Sequence, residues 1–247
     1  MVCGATKGIG RAIALGMAES GAKVIIAGRD NDNLQKVLES FPNGHHEFML
    51  LDQEDHESIE RICNIVSSKS ISILVNNTGG PNPGNIMDEK WDNFETALTK
   101  QLRCSHLLSQ SVLPNMRREN FGRILNIISS SVRVPILGLG VSNTVRGAVA
   151  SWSKTLSIET AKYGITVNNL LPGFISTERL DQIAETQARV KGISKDHQRN
   201  EMIASIPVGR FGLPEELANL TVFLSSDKAS YITGQSILID GGKTGII

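Results

Sequence analysis

The sequence predicts an α/β fold, a doubly wound parallel sheet with helices on both faces, on three observations. Short β-type runs alternate with longer segments of helical period along the whole chain. Several of those runs are apolar almost throughout, as strands covered on both faces must be. A glycine-rich turn, Gly4-Ala5-Thr6-Lys7-Gly8-Ile9-Gly10, leads straight into the first amphipathic segment.

The elements follow in order. Residues 9–20 carry apolar side chains at three- and four-residue spacing and read as the first helix. The β-branched run 23–27 (KVIIA) is a strand, and 30–40 returns to helical spacing. Residues 47–51 (EFMLL) and 72–76 (SILVN) are strands on either side of a helix over 54–68. A long helical pattern covers 88–118, followed by strand 123–128 (RILNII), helix 143–163 and strand 165–170 (ITVNNL). Helix 214–225 and strand 236–240 (SILID) complete the series. No internal repeat or linker-like shift interrupts it, so residues 1–247 read as one domain. Two segments look least regular: 79–85 (GGPNPGN) and the polar, charge-rich 186–200, the heart of a substrate lid expected around 178–205. Loops at the carboxyl ends of strands form the ligand crevice in such folds.

Composition narrows the function. The 247 residues are 40% hydrophobic and 20% charged, which excludes a disordered chain. Lys plus Arg and Asp plus Glu are both 25, and a neutral chain has no bulk attraction for nucleic acid or an anionic membrane. Cys3, Cys63 and Cys104 are odd in number and far apart, without C-x-x-C spacing, so neither a disulfide framework nor a metal site is expected. There is no basic-then-apolar leader and no apolar run near the ~20 residues that span a bilayer. The expected location is cytoplasmic.

The glycine turn has the spacing G-x-x-x-G-x-G. Gly4, Gly8 and Gly10 allow a tight turn and close approach of backbone to a diphosphate, at exposed helix N-terminal N–H groups. Taken with NNTG at 76–79, PGFIST at 172–177, GRFGLPEELA and YITGQSILIDGG, the run CGATKGIG resembles the short-chain dehydrogenase/reductase family over the whole chain. Within it, the GGPNPG loop and the GRFG and SYITGQ segments look most like 3-oxoacyl-acyl-carrier-protein reductases. The resemblance implies a Rossmann-type sheet of about seven parallel strands and a nicotinamide cofactor. It assigns Gly4, Thr6, Lys7, Gly8, Ile9 and Gly10 to the phosphate turn, Asp52 to the adenine amine, and Asn76 and Gly79 to the middle of the cofactor. Pro172, Gly173, Ile175 and Thr177 belong to the same binding set. The family's first strand usually supplies several apolar residues before the turn. Here only Met1 and Val2 precede Cys3, so the first strand is expected to be either unusually short or trimmed at its start.

Cofactor choice rests on the end of the second strand, Ala27-Gly28-Arg29-Asp30. An NAD-preferring enzyme places a carboxylate there for the ribose 2′-OH. Aligned on the family, the position is Gly28, followed by Arg29, and Lys7 adds a second cation. The expectation is NADP(H); the alternative is that Asp30 serves the ribose.

The catalytic positions depart from the family. Its serine is Ser129. Its tyrosine falls at Ser142, its lysine at Arg146 and its helix asparagine at Gln101. A serine hydroxyl is far less acidic than a phenol, and arginine is not a conservative replacement for lysine. The expected function is NADP(H)-dependent reduction of a ketone or oxidation of an alcohol, an acyl thioester among the candidates by family analogy, at an atypical site. The alternatives are a catalytically silent cofactor-binding sensor or partner subunit, and a site in which Arg146 clamps a carboxylate for other chemistry. Helices 88–118 and 143–163 carry Leu107, Leu108, Val149 and Trp152 beyond one stripe, which predicts a homodimer or homotetramer.

Overall fold

The computed structural model describes residues 1–245. Its first half runs β1 (Val2–Cys3), α1 (Gly8–Glu19), β2 (Ile25–Gly28), α2 (Asn31–Glu39), β3 (Glu47–Leu50), α3 (His56–Ser67) and β4 (Ile73–Asn76). Then come α4 (Trp91–Leu98), a π-helical turn (Thr99–Arg103), α5 (Cys104–Arg118), β5 (Gly122–Ile127) and α6 (Gly140–Thr160). The last elements are β6 (Ile165–Pro172), α7 (Glu178–Lys191), α8 (Lys195–Ala204), α9 (Pro214–Ser225) and β7 (Ser236–Ile239). The seven strands are all parallel, in the order β3-β2-β1-β4-β5-β6-β7. The strand order reverses beside β1, which opens a crevice at the carboxyl edge.

Strand alternation sends neighbouring residues into opposite layers. Val75 and Leu125 join Ile13, Ile26 and Leu217 on one face, under α1 and α9. Leu74 and Ile124 join Ile59, Leu108 and Val112 on the other, under α3 and α5. The first strand is two residues long. Met1 nevertheless continues its ladder, donating from its amine to Ile73 O and accepting from Val75 N.

A buried amide chain crosses the middle of the sheet. In register, Asn76 pairs with Asn126 and Asn126 with Asn169. Asn76 Nδ2 donates to Asn126 Oδ1 at 2.9 Å, and Asn126 Nδ2 donates to Asn169 Oδ1 at 3.0 Å and Ser153 Oγ at 3.2 Å. This polar seam is invisible to a hydrophobic-pattern reading.

Three sequence expectations are corrected. Segment 186–200 is mostly helical. Thr177 and Ser194 cap α7 and α8 through side-chain oxygens, and Gly192 ends α7 at φ +68°. Leu180, Ala184 and Ala188 form an i, i+4 stripe, and Leu180 and Ala184 pack with Met202 and Phe211. The charged residues that suggested a loop are the outer faces of these helices. Helix 88–118 starts at Trp91 and contains the π turn. Finally, Leu108 and Val149 belong to the chain's own core at 0% and 3% exposure, so they do not form a second apolar face. Leu107 and Trp152 are half-buried, and Trp152 Nε1 donates to His106 Nδ1.

Candidate active site

The strands deliver their carboxyl ends to one cleft of about 920 Å³, at the upper end of the ~300–1,000 Å³ usual for ligand sites. Its first wall is the glycine turn. Gly4 and Gly8 take φ +59° and +55°, which side chains rarely adopt. A Cβ on Gly10 would lie 2.1 Å from Gly4 O, so the turn closes on itself only with glycine there. Asn77 clamps it, donating from Nδ2 to Cys3 O and Gly4 O at 3.2 and 3.1 Å. Thr6, Lys7, Ile9, Arg29, Asp52 and Gly79 line the same cleft. Asp52 Oδ1 accepts from Glu54 N, and its own N–H donates to Ser58 Oγ.

Pro172, Gly173, Ile175 and Thr177 form the facing wall where β6 ends. Thr177 stands opposite the turn, its Cγ2 3.3 Å from where a Gly8 Cβ would be. The expected contribution of Asn76 is corrected: this side chain is buried in the amide seam and does not line the cleft, whereas Asn77 does. The sequence signal was the second asparagine of NNTG.

Around Arg29 the charges sort themselves. Asp30 Oδ1 and Oδ2 accept from Asn33 N and Nδ2, so its carboxylate is occupied as the α2 cap. Lys7 Nζ pairs with Glu178 at 2.5 Å. Arg29 has no ion pair among the described residues. The glycine turn at a helix N-terminus and the free cation at the β2 end are the features that would hold a phosphorylated dinucleotide.

Ser129, Ser142 and Arg146 all line the cleft. Ser129 follows β5, and its Oγ accepts from Ser131 N at 3.1 Å, leaving the hydroxyl proton to donate elsewhere. Ser142 and Arg146 share one face of α6, and Arg146 Nε donates to Ser142 Oγ at 3.4 Å. The helix starts earlier than expected, at Gly140, where a Cβ would lie 2.7 Å from Ile86. Arg146 is anchored by two bonds from Nη1, to Ile127 O at 3.1 Å and Ile128 O at 2.7 Å. Burial, with a smaller push from Arg179, lowers its pKa to about 10, so it remains a cation at neutral pH.

Gln101 does not join them on the cleft wall. It lies in the π turn, 3% exposed, with neither amide atom partnered by protein. Its neighbour Lys100 reaches the cleft and pairs with Glu54 at 2.5 Å. No tyrosine lines the cleft among the described residues. Tyr163 accepts from Arg117 Nη2 at 2.7 Å, and Tyr231 is wholly exposed.

Comparison with known proteins places this architecture. The family model described as enoyl-(acyl carrier protein) reductase matches residues 4–244. The chain is 33% identical over 247 residues to the NADPH-dependent reductase BacG of Bacillus subtilis, covering 98% of this chain and 95% of that one. It is 34% identical over 248 residues to the 3-oxoacyl-[acyl-carrier-protein] reductase FabG of Escherichia coli, with the same coverage. The crystal structure of YwfH, an NADPH-dependent reductase involved in bacilysin biosynthesis, superposes with a TM-score of 0.94 at 31% identity, covering 100% of this chain and 98% of that one. With the parallel sheet, the glycine turn and these full-length matches, the chain belongs to the short-chain dehydrogenase/reductase family of oxidoreductases.

Proposed function

We propose that this protein is an NADP(H)-dependent oxidoreductase that reduces a ketone or oxidises an alcohol at a site without the family's tyrosine and lysine. The observation that carries the reading is one cleft joining the glycine turn to Ser129, Ser142 and Arg146. The occupied Asp30 carboxylate and the unpaired Arg29 support a 2′-phosphate over a 2′-hydroxyl. The names of BacG and YwfH as NADPH-dependent reductases agree with that choice. A 3-oxoacyl substrate is one candidate, through the likeness to FabG.

The nicotinamide supplies a hydride when bound. The protein's part is to bind the carbonyl and stabilise the charge that develops on its oxygen. Ser129 offers a hydroxyl proton already freed by its acceptor bond to Ser131 N. Ser142 is poised the same way by Arg146 Nε. Fixed donors and a cation facing a developing oxyanion stabilise it, each donor by up to roughly 2.7–4 kcal/mol where water is excluded. None of these groups is a strong acid at neutral pH, so the oxyanion is held first and the proton arrives from water. Losing one positioned acid lowers rates by about 10²–10⁴. The expected enzyme is therefore slow.

Single-turnover oxidation of bound NADPH, followed by absorbance across ketones and acyl thioesters, tests this. Binding without oxidation across the panel would move the protein to the second reading, a silent cofactor binder. That reading is favoured by one observation, the lack of any tyrosine on the described cleft wall.

A further inference from the structure

The cleft floor carries a second cation that the reductase reading does not use. Arg179, in the first turn of α7, donates from Nη2 to Pro81 O at 2.7 Å. It approaches the same point as Arg146. A Cβ built on Gly80 would lie 3.6 Å from Arg146 Nη2 and 3.8 Å from Arg179 Nη2, in ordinary contact with both. Neither guanidinium has a carboxylate within 4.0 Å among the described residues. Some other arginines do: Arg199 pairs with Asp181, Arg210 with Glu216, and even Arg123, as deeply buried as Arg146, reaches Asp227. Arg146 is 7% exposed, and Arg179 is half-buried. Two desolvated like charges without an anion oppose folding, and the arrangement is relieved when an anion enters.

We propose that Arg146 and Arg179 form an anion site across Gly80, and that it takes a carboxylate carried by the substrate. This rests on the cleft being a substrate site, as argued above, and adds the class of substrate. Arg146 Nη1 is committed to backbone carbonyls and leaves its Nη2 near Gly80, while Arg179 Nη2 gives one N–H to Pro81 O and keeps a second. With both Nη2 atoms within 4 Å of one point, a single carboxylate placed there can accept a charge-assisted bond of about 2.8 Å from each. The same cleft is also lined by Val134, Ile136, Leu139, Phe174 and Ile183. That wall suits an apolar body attached to the acid. The other anion able to reach the pair is the cofactor's own diphosphate, so the test has to separate the two.

The probes are hexanoate, its methyl ester and hexanol, titrated into the wild-type protein by calorimetry with and without saturating NADPH. Hexanoate should bind in the presence of NADPH, and the two neutral analogues should bind at least about tenfold more weakly. Arg179→Gln should weaken hexanoate by a similar factor while leaving the NADPH affinity within about threefold. Gly80→Asp, which sets a carboxylate between the two arginines, should abolish hexanoate binding and raise the melting temperature. Equal binding of acid and ester, or hexanoate binding unaltered in Arg179→Gln, overturns the proposal. Arg179→Gln weakening NADPH as strongly as hexanoate also overturns it, and gives the pair to the diphosphate. None of these arms needs turnover, so an absence of hydride transfer would remove the reductase reading and leave the anion site standing.

Discussion

Arg29→Ala should erase the preference for NADPH, and the local ion pairs set its size. Arg29 and Lys7 are the two cations beside the β2 end, but they do not start equal. Lys7 must leave Glu178, an exposed pair at 2.5 Å, which offsets its gain by roughly 0–1 kcal/mol. Arg29 starts with no ion partner among the described residues, so most of the discrimination falls to it. One charge-assisted hydrogen bond contributes roughly 1.5–3 kcal/mol. At the exposed Arg29 the lower end applies, and ~1.4 kcal/mol is tenfold in affinity. The assay is fluorescence titration of NADPH and NADH at fixed ionic strength, because exposed charges are screened. Wild type should favour NADPH at least about tenfold and Arg29→Ala should bring the two within about threefold. Asp30→Ala is the control. It removes the α2 cap at a cost of about 1 kcal/mol in stability and should leave the cofactor ratio unchanged. Equal wild-type affinities, a preference retained in Arg29→Ala, or selective loss of NADH in Asp30→Ala would each refute the assignment.

Four further outcomes are expected. Ser142→Tyr with Arg146→Lys should create or raise ketone reduction more than either change alone, since a lysine lowers the phenol's pKa and the pair acts as a unit; no gain by NADPH-oxidation assay in the double variant counts against the alignment of these positions. The rate should stay flat from about pH 6 to 9 and fall near 10, as Arg146 loses its proton and its field; a break near neutrality in the pH–rate profile would reveal another acid. Asn126→Ala should destabilise by at least about 2 kcal/mol in urea melts, because three buried partners lose a bond. The chain should sediment as a homodimer or homotetramer at micromolar concentration, with a monomer contradicting that expectation.

The sheet was legible because strands covered on both faces must be apolar, and all six runs named from the sequence became strands with shifted ends. The glycine turn was legible because close backbone approach admits no other residue, as the 2.1 Å contact at Gly10 shows. What escaped depended on register or on three-dimensional convergence. Asn76, Asn126 and Asn169 sit in different strands, and only pairing makes them one seam. Helices α7 and α8 escaped because their polar faces outweigh a narrow apolar stripe, Leu180, Ala184 and Ala188. Arg179 lies 33 positions beyond Arg146 and reaches it only because β6 and α7 fold the chain back over the cleft.

On the proposed alignment, the residues at the family's tyrosine and lysine positions make chemical sense together. A nearby cation makes a phenol a better acid near neutral pH, and with Ser142 at the proposed tyrosine position the cation has no such task. Arg146 is instead tied at Nη1 to the carbonyls of Ile127 and Ile128, which fixes its free edge towards Gly80 and Arg179. A lysine could not satisfy two carbonyls and still present a planar donor edge. The consequence is a floor that holds negative charge strongly and supplies protons poorly. Such a floor favours substrates that bring their own anion and products whose oxyanion tolerates slow protonation by water. A substrate panel chosen for carboxylates and stabilised oxyanions is therefore a sharper search than one chosen for simple ketones.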